Sequence, residues 1–321
     1  MASIQETVSR LAELPNVILK RDVPLSQYTR FGLGGPAAVL VDTPDECSFT
    51  KALSLARRSG LRVEVIGGGS NLVVADAGFD GIILRFTGGD IRSEGSIVYA
   101  GAGAVLQDLV DYTIDQGLAG IQTMTGIPGW VGGAVYGNAG AYGRSMHQNV
   151  RSVRFADGEV IRELDNAGCK FRYRHSVFKD NKSWIVLSMA LDLLLADAAG
   201  LRKQADDILS IRNAKYPPTM KCAGSIFKNL LFDELPEHVR AQVDPKVIRE
   251  GKVPSAYFLE QVDAKGIKNG NIHVADYHAN LIYNAGDGTA RQVREVIDDL
   301  KARVRARFEF DVEEEVQYVG F

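Results

Sequence analysis

"RVEVIGGGSNLVVADAGFDG", residues 62–81, runs a short β-branched strand into three consecutive glycines, Gly67, Gly68 and Gly69, and then into Ser70 and Asn71. Without Cβ atoms the backbone amides stand unhindered, and two short polar side chains can converge with them on an anion, a diphosphate being the natural candidate. No GK[ST] follows, so this is not a Walker loop. GxGxxG is absent too, and an apolar run stands where a Rossmann helix would begin. A tight turn between strands is the plain alternative for the same residues.

The same grammar of strand, glycine turn and helix flanks this stretch on both sides. Upstream, "AAVLVDTPDE" reads as a strand entering a helix, with Thr43 the expected N-cap, Pro44 the first helical residue and Glu46 completing a capping box. Phe49, Ala52, Leu53 and Ala56 then recur at helical spacing until Gly60. Downstream, "SIVYAGAG" leads into "AVLQDLVDYTIDQG", and no fixed period links these units, so a solenoid is not expected. A second glycine-rich stretch, "TMTGIPGWVGGAVYGNAGAYG", holds seven glycines between Thr123 and Gly143, so it can lie flat against a large planar or extended ligand. Its candidate contacts are Thr125, Gly126, Ile127, Pro128, Gly132, Gly133, Ala134 and Asn138. Two such loops in one half of the chain point to a cofactor of dinucleotide size.

At 321 residues the chain is longer than most single cores, so two or three domains are expected. A formal net charge of -3 provides no general field for nucleic acid or an anionic membrane. Cys47, Cys169 and Cys222 are odd in number and far apart, which suggests neither a disulfide framework nor a metal site and fits a reducing cytoplasm. "MASIQETVSRLAELPN" lacks the apolar core of a signal peptide, and "WIVLSMALDLLL" is too short for a membrane span and carries Asp192. After residue 200 the character changes: "LRKQADDILSIRNAK" reads as a helix, "YPPTMKCAG" breaks it, and a domain boundary is expected near Leu201. Thr289 and Gln292 then frame a capping box, and Val293, Val296, Ile297, Leu300, Val304 and Phe308 form one apolar helical stripe.

Six ordered blocks carry a resemblance: "PLSQYTRFGLGGPA", "IGGGSNLVVADAGFDG", "GIPGWVGGAVYGNAGAYG", "YRHSVFK", "AGSIFKN" and "HANLIYNAGDGTA". From about Arg21 to Val319 the chain resembles the UDP-N-acetylenolpyruvoylglucosamine reductase family, flavoproteins of peptidoglycan precursor synthesis. The resemblance implies a mixed α/β fold: an FAD-binding domain pair of the vanillyl-alcohol oxidase type, here residues 1–85 and 86–200, and a C-terminal α/β substrate-binding domain, residues 201–321. It implies non-covalent FAD, NADPH as co-substrate and a UDP-sugar as substrate, with no nucleic acid, membrane or obligate protein partner. The family's reaction adds hydride to the methylene carbon of an enolpyruvyl ether, which leaves an enolate to be stabilised and then protonated.

The resemblance assigns the proton to Ser225 of "AGS", the carboxylate contact to Arg174 of "YRHSVFK", and a catalytic glutamate to Glu315 of "VEEEV", where this chain has Glu314 in place of the family's proline. Tyr142, Lys215, Asn229 and His278 fall at its substrate-side positions. Taken singly, each has a duller reading: a strand-end hydroxyl, a surface arginine, a solvated acidic run, a core tyrosine. A hydrolase is disfavoured, since no G-x-S-x-G surrounds Ser225 and nothing ties His175 or His278 to it. Another FAD enzyme of the same fold, acting on an alcohol or sugar, would leave "AGSIFKN" and "YRHS" unexplained, and a non-catalytic nucleotide-binding protein would need the flavin absent or inert. Leu230 replaces a proline that often follows "FKN", and the long insertion before Ser255 and Ala256 is expected to be a surface helix around "DELPEHVRAQVD" or a lid.

Overall fold

The structure, a computed structural model, describes residues 4–321. Met1–Ser3, which open the stretch weighed above as a signal peptide, lie outside the described residues. The chain divides into two compact units. The first takes the chain up to Val23, Ala37–Gly69 and Phe79–Pro218; the second takes Pro24–Pro36, Ser70–Gly78 and Thr219–Phe321.

The first unit holds a four-stranded and a five-stranded sheet, with two small two-stranded ones, and one continuous core. In its four-stranded sheet, Pro36–Thr43 and Val63–Val65 both pair in parallel with Phe79–Phe86. Ile82, Ile83 and Leu84 are all fully buried, as strands covered on both faces must be. The helix Glu46–Arg58 buries Phe49, Ala52, Leu53 and Ala56 as their spacing predicts. Its N-cap is Asp45 and not Thr43: the strand runs through Thr43, the chain turns at Pro44, and the Asp45 carboxylate accepts from Ser48 N at 2.7 Å. This capping bond is also what lowers the Asp45 pKa. The second sheet is antiparallel, with Val150–Asp157 and Trp184–Asp192 at its centre and Ile97–Gly101 beside them.

The helix Ala198–Lys215 sinks Leu201 and Ala205 into this same core, and Arg202 grips Asp111 and Asp115, at 2.5 and 2.8 Å, on the helix Leu106–Asp115. The compact units part at the Pro218–Thr219 junction, beyond the boundary expected near Leu201, because the helix's apolar positions are claimed by the first unit. Two early segments, 24–36 and 70–78, also leave the region expected to be purely cofactor-binding and pack with the C-terminal third.

The second unit is built on a four-stranded antiparallel sheet in which Lys221–Ser225 pairs with His278–Asn284 and that strand with Ile272–Ala275. The helix Ala290–Phe308 covers it, and all six residues of the predicted stripe are buried. Its N-terminus carries the predicted capping box between Thr289 and Gln292. Asp76, from the short segment 70–78, adds two bonds there, accepting from Ala290 N at 2.7 Å and Arg291 N at 3.0 Å. The same segment contributes Leu72–Val74, which pairs in parallel with Gln317–Val319. The insertion after Asn229 forms the short helix Glu237–Arg240 between single 3-10 turns, and Leu235, Val239 and Val243 bury it in the unit's core. It is a packed element with a polar outer side, as the surface-helix expectation has it.

With two charge-assisted bonds at a helix N-terminus, Asp76→Ala is expected to lower stability by about 1–2 kcal/mol, and Asp76→Asn by less. Urea midpoints at an unchanged denaturant slope would measure this; equal midpoints for Asp76→Ala and the parent would refute the anchoring role.

Candidate functional site

In the first unit the two glycine-rich stretches meet. A Cβ built on Gly68 would stand 2.9 Å from the Trp130 indole and 3.2 Å from Gly129 Cα, so only glycine lets these loops approach so closely. The Trp130 ring is covered on one side by Arg85, whose guanidinium lies 4.8 Å from its centroid and pairs with Asp42 at 2.8 Å. Gly133, by contrast, has open space where a side chain would be. The Thr125–Gly126 turn is braced from below, with Gln107 Oε1 accepting from Gly126 N at 2.7 Å and Arg212 donating to Gly126 O at 3.2 Å. Glycine walls with room beside them are what a flat, extended group needs, and they fit a dinucleotide.

Asn138 is almost wholly buried and its amide is committed to the protein: Oδ1 accepts from His147 N at 3.0 Å, and Nδ2 donates to Arg172 O at 2.9 Å. Its contribution is therefore the loop's shape, tied to the arginine-bearing turn. That turn is a two-residue hairpin, closed by reciprocal backbone bonds between Arg172 and His175, with Arg174 at φ 52° in the place that usually takes glycine. Arg174 Nη2 donates to Gly140 O at 3.0 Å. Tyr142, expected as core or substrate contact, is half exposed and also at positive φ. Lys215 ends the helix Ala198–Lys215 beside the Tyr216 ring.

Ser225, Asn229, His278 and Glu315 belong to the second unit, as do Ser70 and Asn71. The strand Lys221–Ser225 is interrupted after Cys222, where Gly224 adopts φ +75°, and pairing resumes with Ser225 opposite Leu281. Beyond this bulge the chain is caught from two sides. Asn280 O accepts from Ile226 N, and the Asn280 side chain both accepts from Phe227 N at 2.9 Å and donates to Phe227 O at 2.8 Å. On the other edge, Glu315 N donates to Ile226 O at 2.7 Å and Lys228 N to Glu313 O at 2.9 Å. Asn71 joins this edge, its Nδ2 donating to Glu315 O at 2.9 Å. That donor is thereby engaged with the C-terminal segment.

The three glutamates are now distinguishable. Glu313 pairs with Lys228, and Glu314 with Lys301 at 2.7 Å and with the Tyr318 hydroxyl. Burial, and then this bond to Glu314, push the Tyr318 phenol well above its ordinary pKa, so it stays a donor. Glu315 is the one whose backbone is bonded to the residue following Ser225. Sequence reasoning missed Asn280, although an asparagine inside the apolar run "ANLIY" is itself a signal, since a buried amide needs partners. It also left Lys179 and Asp76 unassigned. No group of metal-ligating side chains occurs among the described residues.

Residues 36–163 match the FAD binding domain family, and residues 216–319 match the C-terminal domain of UDP-N-acetylenolpyruvoylglucosamine reductase. A reductase of that name from Solibacter usitatus is 57% identical over 97% of this chain and 100% of its own length. The chain belongs to the UDP-N-acetylenolpyruvoylglucosamine reductase family. The Bacillus subtilis family member is 32% identical over 92% of each chain. The solved UDP-N-acetylenolpyruvylglucosamine reductase from Thermus caldophilus superposes with a TM-score of 0.74 at 25% identity, covering 94% of this chain and 99% of the other. The fold expectation, a cofactor-binding region followed by the family's C-terminal domain, is borne out.

Since a side chain at Gly68 would drive the two loops apart, Gly68→Val is expected to purify folded but without flavin. Visible absorbance and the flavin-to-protein ratio would report it; a full complement of flavin would move the cofactor contact elsewhere.

Proposed function

We propose how this flavoenzyme carries out its reduction of UDP-N-acetylglucosamine enolpyruvate to UDP-N-acetylmuramate: Arg174 holds the substrate carboxylate, Ser225 delivers the proton, and Glu315 acts beside it. FAD, bound without a covalent link, supplies the hydride chemistry, with NADPH as the donor that replenishes it. Gly67–Asn71, Thr125–Pro128 and Gly132–Ala134 would hold that cofactor, and Asn138 would fix the loop between them. Hydride arriving at the methylene carbon drives charge onto the neighbouring carbon and its carboxylate. A planar guanidinium matches a carboxylate whose charge grows in this way, and Arg174 already uses one nitrogen to fix itself to Gly140 O.

The observation that carries this reading is the pairing of Ile226–Lys228 with Glu313–Glu315 immediately after the bulge at Gly224. It fixes the backbone beyond Ser225 through bonds on both edges, which is the preorganisation a weak acid such as a hydroxyl requires. Glu315 is the glutamate whose backbone N is bonded to Ile226 O, the residue next to Ser225, which supports it as the catalytic carboxylate. Tyr142, Lys215, Asn229 and His278 would meet the uridine diphosphate and sugar. The substrate is a small nucleotide sugar, and the enzyme works alone in the cytoplasm. Among the described residues no helix is long and apolar enough to cross a membrane.

Anaerobic stopped-flow separates the two half-reactions. Ser225→Ala should leave flavin reduction by NADPH nearly intact and slow reoxidation by the enolpyruvyl substrate roughly a thousandfold or more. Equal loss in both halves would count against a proton-donor role. Glu315→Gln should impair the same second half, whereas Glu314→Gln, which loosens Lys301 and Tyr318, should lower the melting temperature and spare the rates. A reversal of that pattern would shift the catalytic role to Glu314.

A further inference from the structure

Arg174 occupies a backbone conformation that an L-residue enters only at a cost of about 1 kcal/mol or more, so the surroundings must hold it there. One group does so directly. Lys179 Nζ donates to the Arg174 carbonyl at 2.9 Å, across the turn that contains the strained residue. The lysine is itself well rooted. It sits in the four-residue helix Val177–Asp180 next to Phe178, which is fully buried, and its ammonium lies 5.6 Å from the centre of the Tyr136 ring. Tyr136 is tied to the same turn, since Ser176 Oγ donates to Tyr136 O at 2.7 Å. A charged donor on the carbonyl of a left-handed residue gives a stronger bond than a neutral one. It restrains the peptide plane that follows Arg174 while Asn138 restrains the carbonyl of Arg172.

We propose that Lys179 is a positioning residue for the reduction: through the Arg174 carbonyl it sets the direction from which the Arg174 guanidinium meets the substrate carboxylate. This rests on the role given to Arg174 above. A displacement of about 1 Å in such a group costs on the order of a hundredfold in rate, so the loss should appear in chemistry and not in cofactor binding.

The test uses the flavin-loaded enzyme and four variants: Lys179→Met, Lys179→Arg, Arg174→Lys and the double variant of Lys179→Met with Arg174→Lys. Lys179→Met should keep its flavin and its rate of reduction by NADPH while reoxidation by the enolpyruvyl substrate slows roughly ten- to a hundredfold. Lys179→Arg, which retains a cationic donor, should recover part of that loss. In the double variant the Lys179→Met change should add less than about threefold to the defect of Arg174→Lys, because both act through one group. Loss of flavin or of the first half-reaction in Lys179→Met would make the lysine a general structural element and overturn the assignment, as would full additivity. An Arg174→Lys enzyme with an unchanged second half-reaction would overturn the role of Arg174 and the lysine's with it. A slowed Arg174→Lys beside an unimpaired Lys179→Met would overturn the lysine's role alone.

Discussion

The buried amide of Asn280 is the constraint on which the proposed proton-delivery site depends. A bulge at Gly224 breaks the strand pairing just before Ser225, and a broken ladder in a buried place leaves backbone groups without partners. Asn280 supplies them: its side chain reproduces a strand neighbour for Phe227, and its remaining donor goes to Ser255 Oγ at 2.7 Å. Each orphaned buried group would cost about 1–3 kcal/mol, so the arrangement is strongly selected over a slipped register. The consequence for the proposed chemistry is that Ser225 stands at a defined point just past the bulge, with the backbone of Glu315 fastened to the residue after it.

Backbone strain also occurs in the second glycine-rich block and in the arginine-bearing turn. Asn138, Tyr142 and Arg174 all adopt positive φ without being glycine. Strained residues persist only when their neighbours over-determine them, and here the neighbours are identifiable: Arg172 and His147 for Asn138, Gly140 and Lys179 for Arg174. A guanidinium held by its own main chain and by one side-chain nitrogen loses little further freedom when a carboxylate arrives. That preorganisation is a better guide to function than the presence of an arginine, of which the chain has many.

Much of this was legible in the residues alone. The Thr289–Gln292 capping box and the stripe from Val293 to Phe308 specify their helix without help from the rest of the chain, because cap and period are local quantities. Thr43 misled for an equally physical reason: N-cap preference says that a short polar residue precedes the helix, but where the preceding strand ends decides which one. The change in composition near Leu201 marks a change in exposure, but the helix Ala198–Lys215 turns its apolar side back to the first unit, and the compact units part only after Pro218. The glutamates of "VEEEV" are chemically identical in sequence, and their bonds tell them apart: Glu313 to Lys228, Glu314 to Lys301 and Tyr318, and the backbone of Glu315 to Ile226.

The abundance of glycine was the most informative compositional signal and also the most ambiguous. Read as ligand-facing, it is matched by Gly133, where a side chain would meet open space, whereas Gly68 lets two loops close on each other. Much of it, however, serves backbone meeting backbone. A Cβ on Gly35 would fall 2.2 Å from Asp76 O and one on Gly78 1.9 Å from Pro36 O, so the segments 24–36 and 70–78 are pressed together within the second unit more tightly than any side chain allows. Asp76, carried on that segment, is then delivered to the N-terminus of the helix Ala290–Phe308. Two short pieces of an otherwise cofactor-binding sequence are thereby built into the unit that presents Ser225 and Glu315. Substitutions in them should be felt first as instability of that unit, which is how a motif in the amino-terminal third can matter to the proton delivery proposed for Ser225.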